Sequence, residues 1–267
     1  MTALKVWVQG IGLLGPGLAS WTSAQDVLRG VQAYASTPAV LPSPARLPPA
    51  ERRRAGAAVK LALAVADEAV AQAQVDPGTL ATVFTSSSGE GINCHALCET
   101  LALPAPMVSP TRFTNSVHNA AAGCWHIAVA SRASSTSLCA FDGSFGAGLI
   151  EAATSVCLSG QPVLLVASDS PYPEPLHATR ALPDHFGVAL LLTSEPGAEP
   201  VAELAIELDA SEASEASSCD DPTLEALRDA IPAARALPLL SALARTRAKQ
   251  RIVLDYLPHL RVQIDLA

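Results

Sequence analysis

Between Ser135 and Asp169 the chain changes hydrophobic rhythm twice. STSLCAF (Ser135–Phe141) alternates as a β-run, breaks at Asp142-Gly143-Ser144, and gives way to an amphipathic helix over Gly146–Leu158. A second apolar strand follows at Val163–Ser168. Strand, helix and strand in close succession place the helix on one face of a sheet and restrict the chain to a layered α/β architecture. The sharp strand-to-helix elbow has a chemical consequence as well. A side chain there sits at a helix N-terminus, where free backbone N–H groups and the helix dipole lower the pKa of a thiol. No cysteine stands at 142–144, and Cys139 lies earlier, inside the strand.

The same alternation runs through most of the chain. Lys5–Gly12 reads as an apolar strand ending in a glycine turn, and Ser23–Arg29 as a short helix. Thr37–Pro49 carries five prolines and reads as a surface loop. Glu51–Gln74 has the spacing of one long amphipathic helix, with Ala57, Leu61, Ala64, Val65 and Glu68 on a common stripe, followed by the strand Ala81–Ser86 and a helix from the Ser/Gly turn to Leu101. Pro104–Thr111 is expected to be extended and Asn115–Ser131 to be one helix with a smooth alanine-glycine face. Ser170–Pro183 is a proline-rich excursion, and Phe186–Thr193 and Val201–Leu208 are strands. The pattern divides the chain into a domain over 1–208, a mobile acidic, serine-rich linker over 209–221 and a short extension over 222–267, with a helical pair and a terminal strand or hairpin at Gln250–Leu266.

Composition narrows the function. Hydrophobic residues make up 49% of the 267 positions and charged ones only 16%, so a large core is expected; aromatics are 4%, so that core is built of small aliphatic side chains that allow close approach of layers. A net charge of -8 argues against nucleic acid. No apolar run is long enough for a membrane span, because Asp67 and Glu68 interrupt the most apolar helix, and MTALKVWVQG has no signal-peptide form. The six cysteines fall mostly in apolar segments, which points to reduced core thiols and a cytoplasmic protein.

SPTRFTNSVHNAAAGCWHIA (Ser109–Ala128), CAFDGSFGAGLIEAA (Cys139–Ala153), PVLLVASD (Pro162–Asp169), the opening KVWVQGIGLLGP and HFGVALLLTS (His185–Ser194) together resemble the N-terminal half of a β-ketoacyl synthase. The likeness covers roughly residues 1–208 and implies a thiolase-like layered α/β fold with a reduced C-terminal part. Counting back from Leu158-Ser159-Gly160 places the family's nucleophilic cysteine on Gly143. The second half of a complete synthase supplies two histidines for malonyl decarboxylation. Neither of their sequence contexts occurs after residue 208, and His259 has neither. No catalytic residue is carried over.

Short relatives without the cysteine resemble the chain-length-factor subunits of bacterial aryl polyene and xanthomonadin-type pigment systems, related to type II polyketide and fatty acid synthesis. The resemblance implies a heterodimer with an active ketosynthase working on an acyl carrier protein, and no cofactor or metal. In such dimers the helix corresponding to Asn115–Ser131 packs near the two-fold axis. Ala120, Ala121, Ala122 and Gly123 would then allow close approach. Phe113, Ser116, Val117 and His118 would shape or cap the acyl pocket, with Asn119 and Trp125 at the interface or core.

Rival readings remain open. Asp142-Gly143-Ser144-Phe145-Gly146 approaches the hydrolase elbow Gly-x-Ser-x-Gly, so Ser144, or Cys139, could serve a stand-alone acyl transferase or thioesterase if His118, His126 or His185 supplied a base; otherwise Ser144 caps the following helix. Cys94, His95 and Cys98 have helical spacing and no second zinc-type pair, and Ser86–Gly91 lacks the ending of a phosphate loop and carries Glu90. Arg52, Arg53 and Arg54, at an expected helix start that the dipole disfavours, form a solvated face or a dock for an acidic carrier. For the chain as a whole, beside the chain-length-factor and stand-alone-enzyme readings, the remaining one is a homodimeric scaffold that binds an acyl carrier protein.

Overall fold

A computed structural model describes residues 3–211, 214–245 and 249–267. Eight strands form one sheet: β1 (Leu4–Leu14), β2 (Ala81–Thr85), β3 (Ser135–Leu138), β4 (Val163–Asp169), β5 (Phe186–Thr193), β6 (Ala202–Asp209), β7 (Gln250–Leu257) and β8 (Leu260–Leu266). Their spatial order is β3-β2-β4-β5-β1-β6-β8-β7. β2 runs parallel to β3 and β4, and all other pairings are antiparallel. The helices are α1 (Trp21–Leu28), α2 (Pro49–Arg54), α3 (Ala57–Ala73), α4 (Gly91–Leu101), α5 (Pro110–Asn115), α6 (Ala120–Ala128), α7 (Ser144–Ser159), α8 (Leu176–Thr179), α9 (Pro222–Ala230) and α10 (Leu237–Arg245). One face of the sheet packs α3 and α6 through Leu61, Val65, Trp125, Leu164 and Leu191. The other packs α1, α7, α9 and α10 through Trp21, Phe145, Leu149, Leu190 and Leu240. This is the thiolase-like layered α/β fold. No helix among the described residues is long and apolar enough to cross a membrane.

The contact between β1 and α3 explains two glycines and one buried acid. A Cβ on Gly10 or Gly12 would stand 2.1 Å from Ala69 O or 1.9 Å from Val65 O, so the helix rests directly on the strand backbone. Beyond Val8, β1 has no β6 neighbour. Its free N–H groups are taken by α3 instead: Ile11 N donates to Gln72 Oε1 (2.8 Å) and Leu13 N to Glu68 Oε2 (2.9 Å). Glu68 Oε1 also accepts from Trp21 N at the start of α1. Glu68 therefore belongs on the helix's buried stripe as an acceptor, and burial raises its pKa.

Two expected helices are broken. Glu51–Gln74 is interrupted at Ala55-Gly56, so Arg52, Arg53 and Arg54 end α2, where the dipole favours cations. Arg52 donates to Ala45 O and Leu47 O, and Arg54 pairs with Glu51. Asn115–Ser131 is likewise split into α5 and α6 by the turn 116–119, and Pro110 opens α5 inside the stretch expected to be extended. The β-run before the elbow is shorter than its pattern, ending at Leu138. The cysteines also differ from expectation: Cys94, Cys98, Cys139 and Cys157 are exposed, Cys124 and Cys219 half-buried, and all six are free.

The last part of the chain continues the same sheet, because the β7–β8 hairpin pairs with β6. Within 209–221, Glu212 and Ala213 lie outside the described residues. Ser217 is fixed to the outer edge of β7: its N–H donates to Val253 O (2.8 Å) and its hydroxyl accepts from Val253 N (3.0 Å).

Candidate functional site: a covered elbow and the cleft beside it

The elbow is built differently from the form its sequence suggests. The side chain exposed at its apex belongs to Phe141, which has φ +50° and is 62% exposed. Gly143 is buried. A Cβ on Gly143 would lie 2.3 Å from Tyr256 O, 3.1 Å from Tyr256 C and 3.2 Å from Tyr256 Cδ2. Tyr256 stands at the irregularity between Asp255 and Leu257 in the β7–β8 register, and that bulge sets its carbonyl against the elbow. Gly143, the position at which the sequence leads one to expect the nucleophile, is covered by the chain's own C-terminal hairpin.

Ser144 is 1% exposed, and its hydroxyl both donates and accepts a hydrogen bond. It donates to Phe141 O (2.6 Å) and accepts from Ala140 N (3.1 Å). The serine thus holds the left-handed Phe141 in place, a different role from capping the amides of α7. The three candidate histidines are bonded elsewhere: His118 Nε2 to Ser86 O, His126 Nε2 to the Thr82 hydroxyl and His185 Nδ1 to the Ser170 hydroxyl, each at 3.0 Å. Burial lowers the His185 pKa. Cys139 is exposed, without a histidine among its described hydrogen-bond partners.

Arg180, from the proline-rich excursion, closes over the elbow. Its guanidinium lies 3.7 Å from the Phe141 ring centroid, donates to the Ser87 hydroxyl (3.0 Å) and pairs with Asp142. Arg235 reaches the other Asp142 oxygen at 3.5 Å.

The Ser86–Gly91 turn does gather backbone amides around a carboxyl group, and that carboxyl is the protein's own. Asp169 Oδ1 accepts from Ser87 N (2.7 Å), Ser88 N (2.9 Å) and the Ser86 hydroxyl (3.1 Å). Its Oδ2 accepts from Ala233 N (2.9 Å). Burial pushes the Asp169 pKa up while these donors pull it down. Nothing in the sequence singled out Asp169, Arg180 or Tyr256. Only the fold brings them to the elbow.

Beside this turn lies a cleft of about 340 Å³, lined by the turn itself, α4, Ser116 and His118 before α6, and Tyr172–Leu176. Glu90 is its only buried lining residue, at 7% exposure. Gly56 makes room for it, since a Cβ there would be 2.5 Å from Glu90 Oε1. Burial raises the Glu90 pKa, partly offset by Asn93, whose amide donates to Oε1 at 3.0 Å.

Of the expected tunnel and interface residues, the structure brings Ser116 and His118 to this cleft, with Phe113 (64% exposed) and Val117 (45%) outside it on the surface. Asn119 and His118 line a second groove of about 490 Å³ between α6 and the open edge of β3, with Ala122, Gly123, His126, Ser135 and Ser137. Ala121 is half-buried and packs toward the α3 side, and Trp125 is fully buried beneath α3 and absent from any surface. Cys94, His95 and Cys98 sit on α4, where His95 meets Glu99 at 3.3 Å. Among the described residues no group of three His, Cys, Asp or Glu side chains is placed to hold a metal ion.

A thiolase-like sheet with a strand-to-helix elbow defines the class, and the family follows. The profile described as Beta-ketoacyl synthase, N-terminal domain, matches residues 20–255, and the chain belongs to that family. The match extends past residue 208 into β7.

Among solved structures, the chain is 25% identical to a chain of the ketosynthase in complex with its chain length factor from Xenorhabdus doucetiae, covering 99% of each chain with a TM-score of 0.71. It shares its fold with a chain of the ishigamide ketosynthase/chain length factor at 15% identity (98% and 99% covered, TM-score 0.72). It shares it also with a chain of a type II polyketide acyl-carrier protein in complex with its ketosynthase bound to the hexaketide, at 12% identity (98% and 99% covered, TM-score 0.74). No curated protein matches the chain in sequence.

Proposed function

We propose that this protein is a non-catalytic, chain-length-factor-type subunit that pairs with an active β-ketoacyl synthase during carrier-bound polyene or polyketide elongation. The observation that carries the reading is the covered elbow. We take Gly143 as the nucleophile position of this ketosynthase fold, and a backbone carbonyl is seated on that glycine. A buried, doubly bonded Ser144 argues against the acyl transferase or thioesterase alternative. Support for a partner comes from the surface. β3 is an edge strand with a free side, and beside it Gly123 faces open space while Ile127, Phe113 and Val117 are exposed. An unpaired strand edge next to apolar side chains is a surface that another chain covers. The 25% identity over 99% of a chain from a ketosynthase–chain length factor complex favours a ketosynthase as that chain over a second copy.

The test is co-expression with the ketosynthase and acyl carrier protein of the same system, followed by size exclusion and product analysis. A stable one-to-one complex, with elongation only when both subunits are present, is the expected result. Val117→Trp should then shorten the product. A synthase that elongates normally alone and never associates with this chain would refute the proposal.

A further inference from the structure

Cys94 and Cys98 stand one helical turn apart on α4, and both line the cleft beside the Ser86–Gly91 turn. Both are exposed and free. The helix backbone fixes their spacing, since Cys94 N donates to Glu90 O (3.2 Å) and Cys98 O accepts from Ala102 N (3.1 Å). Residues four apart on a helix share a face, with Cβ atoms about 5–6 Å apart. A disulfide needs Cβ atoms about 3.5–4.5 Å apart. The pair is too wide for a direct S–S bond unless α4 unwinds, and it suits one atom that bridges two sulfurs. Burial raises the Cys94 pKa, and the neighbouring Cys98 thiol raises it further. A thiol held protonated is a poor nucleophile toward peroxides and disulfides.

Two features choose the bridging atom. A zinc-type metal ion takes at least three protein ligands, and among the described residues no three His, Cys, Asp or Glu side chains are placed to supply them. His95, between the two thiols in sequence, is turned to Glu99 at 3.3 Å. Trivalent arsenic needs only two protein sulfurs, because a hydroxide or organic group already bonded to it fills its third position. The cleft, about 340 Å³ in volume, has room for that group. Its apolar wall is Tyr172, Pro173 and Leu176, set close against the first turn of α4: a Cβ on Gly91 would lie 3.5 Å from both Tyr172 Cδ1 and Pro173 Cδ.

We propose that Cys94 and Cys98 form a two-thiol binding site for trivalent arsenicals, with arsenic bridging the two sulfurs and its organic substituent lying against Tyr172 and Pro173. The reaction is a condensation with no change of oxidation state. With phenylarsine oxide, two As–S bonds replace the arsenic–oxygen bond, and the oxygen leaves as water with the two thiol protons. The site is independent of the chain-length-factor reading.

The experiment treats the folded full chain with phenylarsine oxide or arsenite, followed by intact mass and by alkylation with peptide mapping. A single phenylarsenic group should be gained, with Cys94 and Cys98 protected from alkylation and Cys139 and Cys157 still labelled. 2,3-Dimercaptopropanol should reverse both effects. Cys94→Ser and Cys98→Ser should each weaken binding about a hundredfold, because the second bond is then lost. Cys139→Ser should leave it unchanged. Tyr172→Ala should weaken phenylarsine oxide about fivefold by removing its apolar contact, and arsenite hardly at all. Glutathione disulfide alone should yield no Cys94–Cys98 disulfide in the folded chain.

An adduct that survives Cys94→Ser, protection of a different pair of cysteines, or no adduct on the folded chain overturns the proposal. Ready closure of a Cys94–Cys98 disulfide by glutathione disulfide overturns the spacing argument behind it. An equal effect of Tyr172→Ala on both reagents refutes the placing of the organic group.

Discussion

Gly143→Ala measures whether the hairpin truly occupies the elbow. The backbone at Gly143 has φ -83° and ψ 10°, accessible to any residue, so alanine meets no conformational strain there. Taken alone, the exchange would stabilise the fold by about 0.4–1 kcal/mol through the unfolded state. The opposing term is contact. The new Cβ would lie 2.3 Å from Tyr256 O, and a Cβ essentially never comes under 3.0 Å from another heavy atom. The atom in the way is backbone, belonging to a strand paired with β8 and flanked by Ser217 on its outer edge, so it has no rotamer to escape into. Overpacking of this kind costs about 1–3 kcal/mol. The net expectation is a loss of about 1–2 kcal/mol, seen as a melting temperature lower by about 2–8 °C.

Urea unfolding and thermal melts of the purified chain give the number. Gly123→Ala is the control, because a Cβ there meets nothing within 4 Å and α6 should gain about 0.5–1 kcal/mol in helix propensity. Gly143→Cys carries the same clash, so any thiol at 143 should alkylate more slowly than the exposed Cys139. If Gly143→Ala is as stable as wild type, Tyr256 does not press on the elbow, and the argument for a covered nucleophile position fails with it.

Ser144→Ala should cost about 1–2 kcal/mol in unfolding experiments, because Ala140 N loses its acceptor in a buried site, while any background thioester hydrolysis stays unchanged. Asp169→Asn should cost about 3 kcal/mol, since an amide cannot accept from donors on both sides. Hydrogen exchange should show Ser87 and Ser88 amides losing protection. Glu90 gives a pH signature. Its folded pKa is raised, so its contribution is fully present below the ordinary carboxylate value and is lost as pH rises through the raised one. Glu90→Gln should therefore melt above wild type at about pH 8 and lose that advantage toward about pH 4.

The layered fold was legible because it rests on local rhythm. Phe186–Thr193 is a strand with the bounds its pattern gave, and Val163–Ser168 differs by one residue. Where the reading erred, a long-range contact overrides the local pattern. The stripe from Glu51 to Gln74 is continuous in sequence, yet the helix breaks at Ala55-Gly56, where the carboxyl of Glu90 occupies the space a side chain on residue 56 would need. Apolar flanks suggest core cysteines, but α4 exposes Cys94 and Cys98 at the mouth of a cleft that two distant loops complete.

The elbow shows the same limit at the site itself. The family resemblance assigns the missing nucleophile to Gly143, whereas the sequence offers no pattern linking that position to Tyr256, more than a hundred residues later. A missing cysteine could be restored by one substitution; a carbonyl seated on the position could not. The bulge at Tyr256, the glycine beneath it and the Ser144 hydroxyl that fixes Phe141 form one packed unit. Reopening the elbow would require the C-terminal hairpin to move together with the glycine.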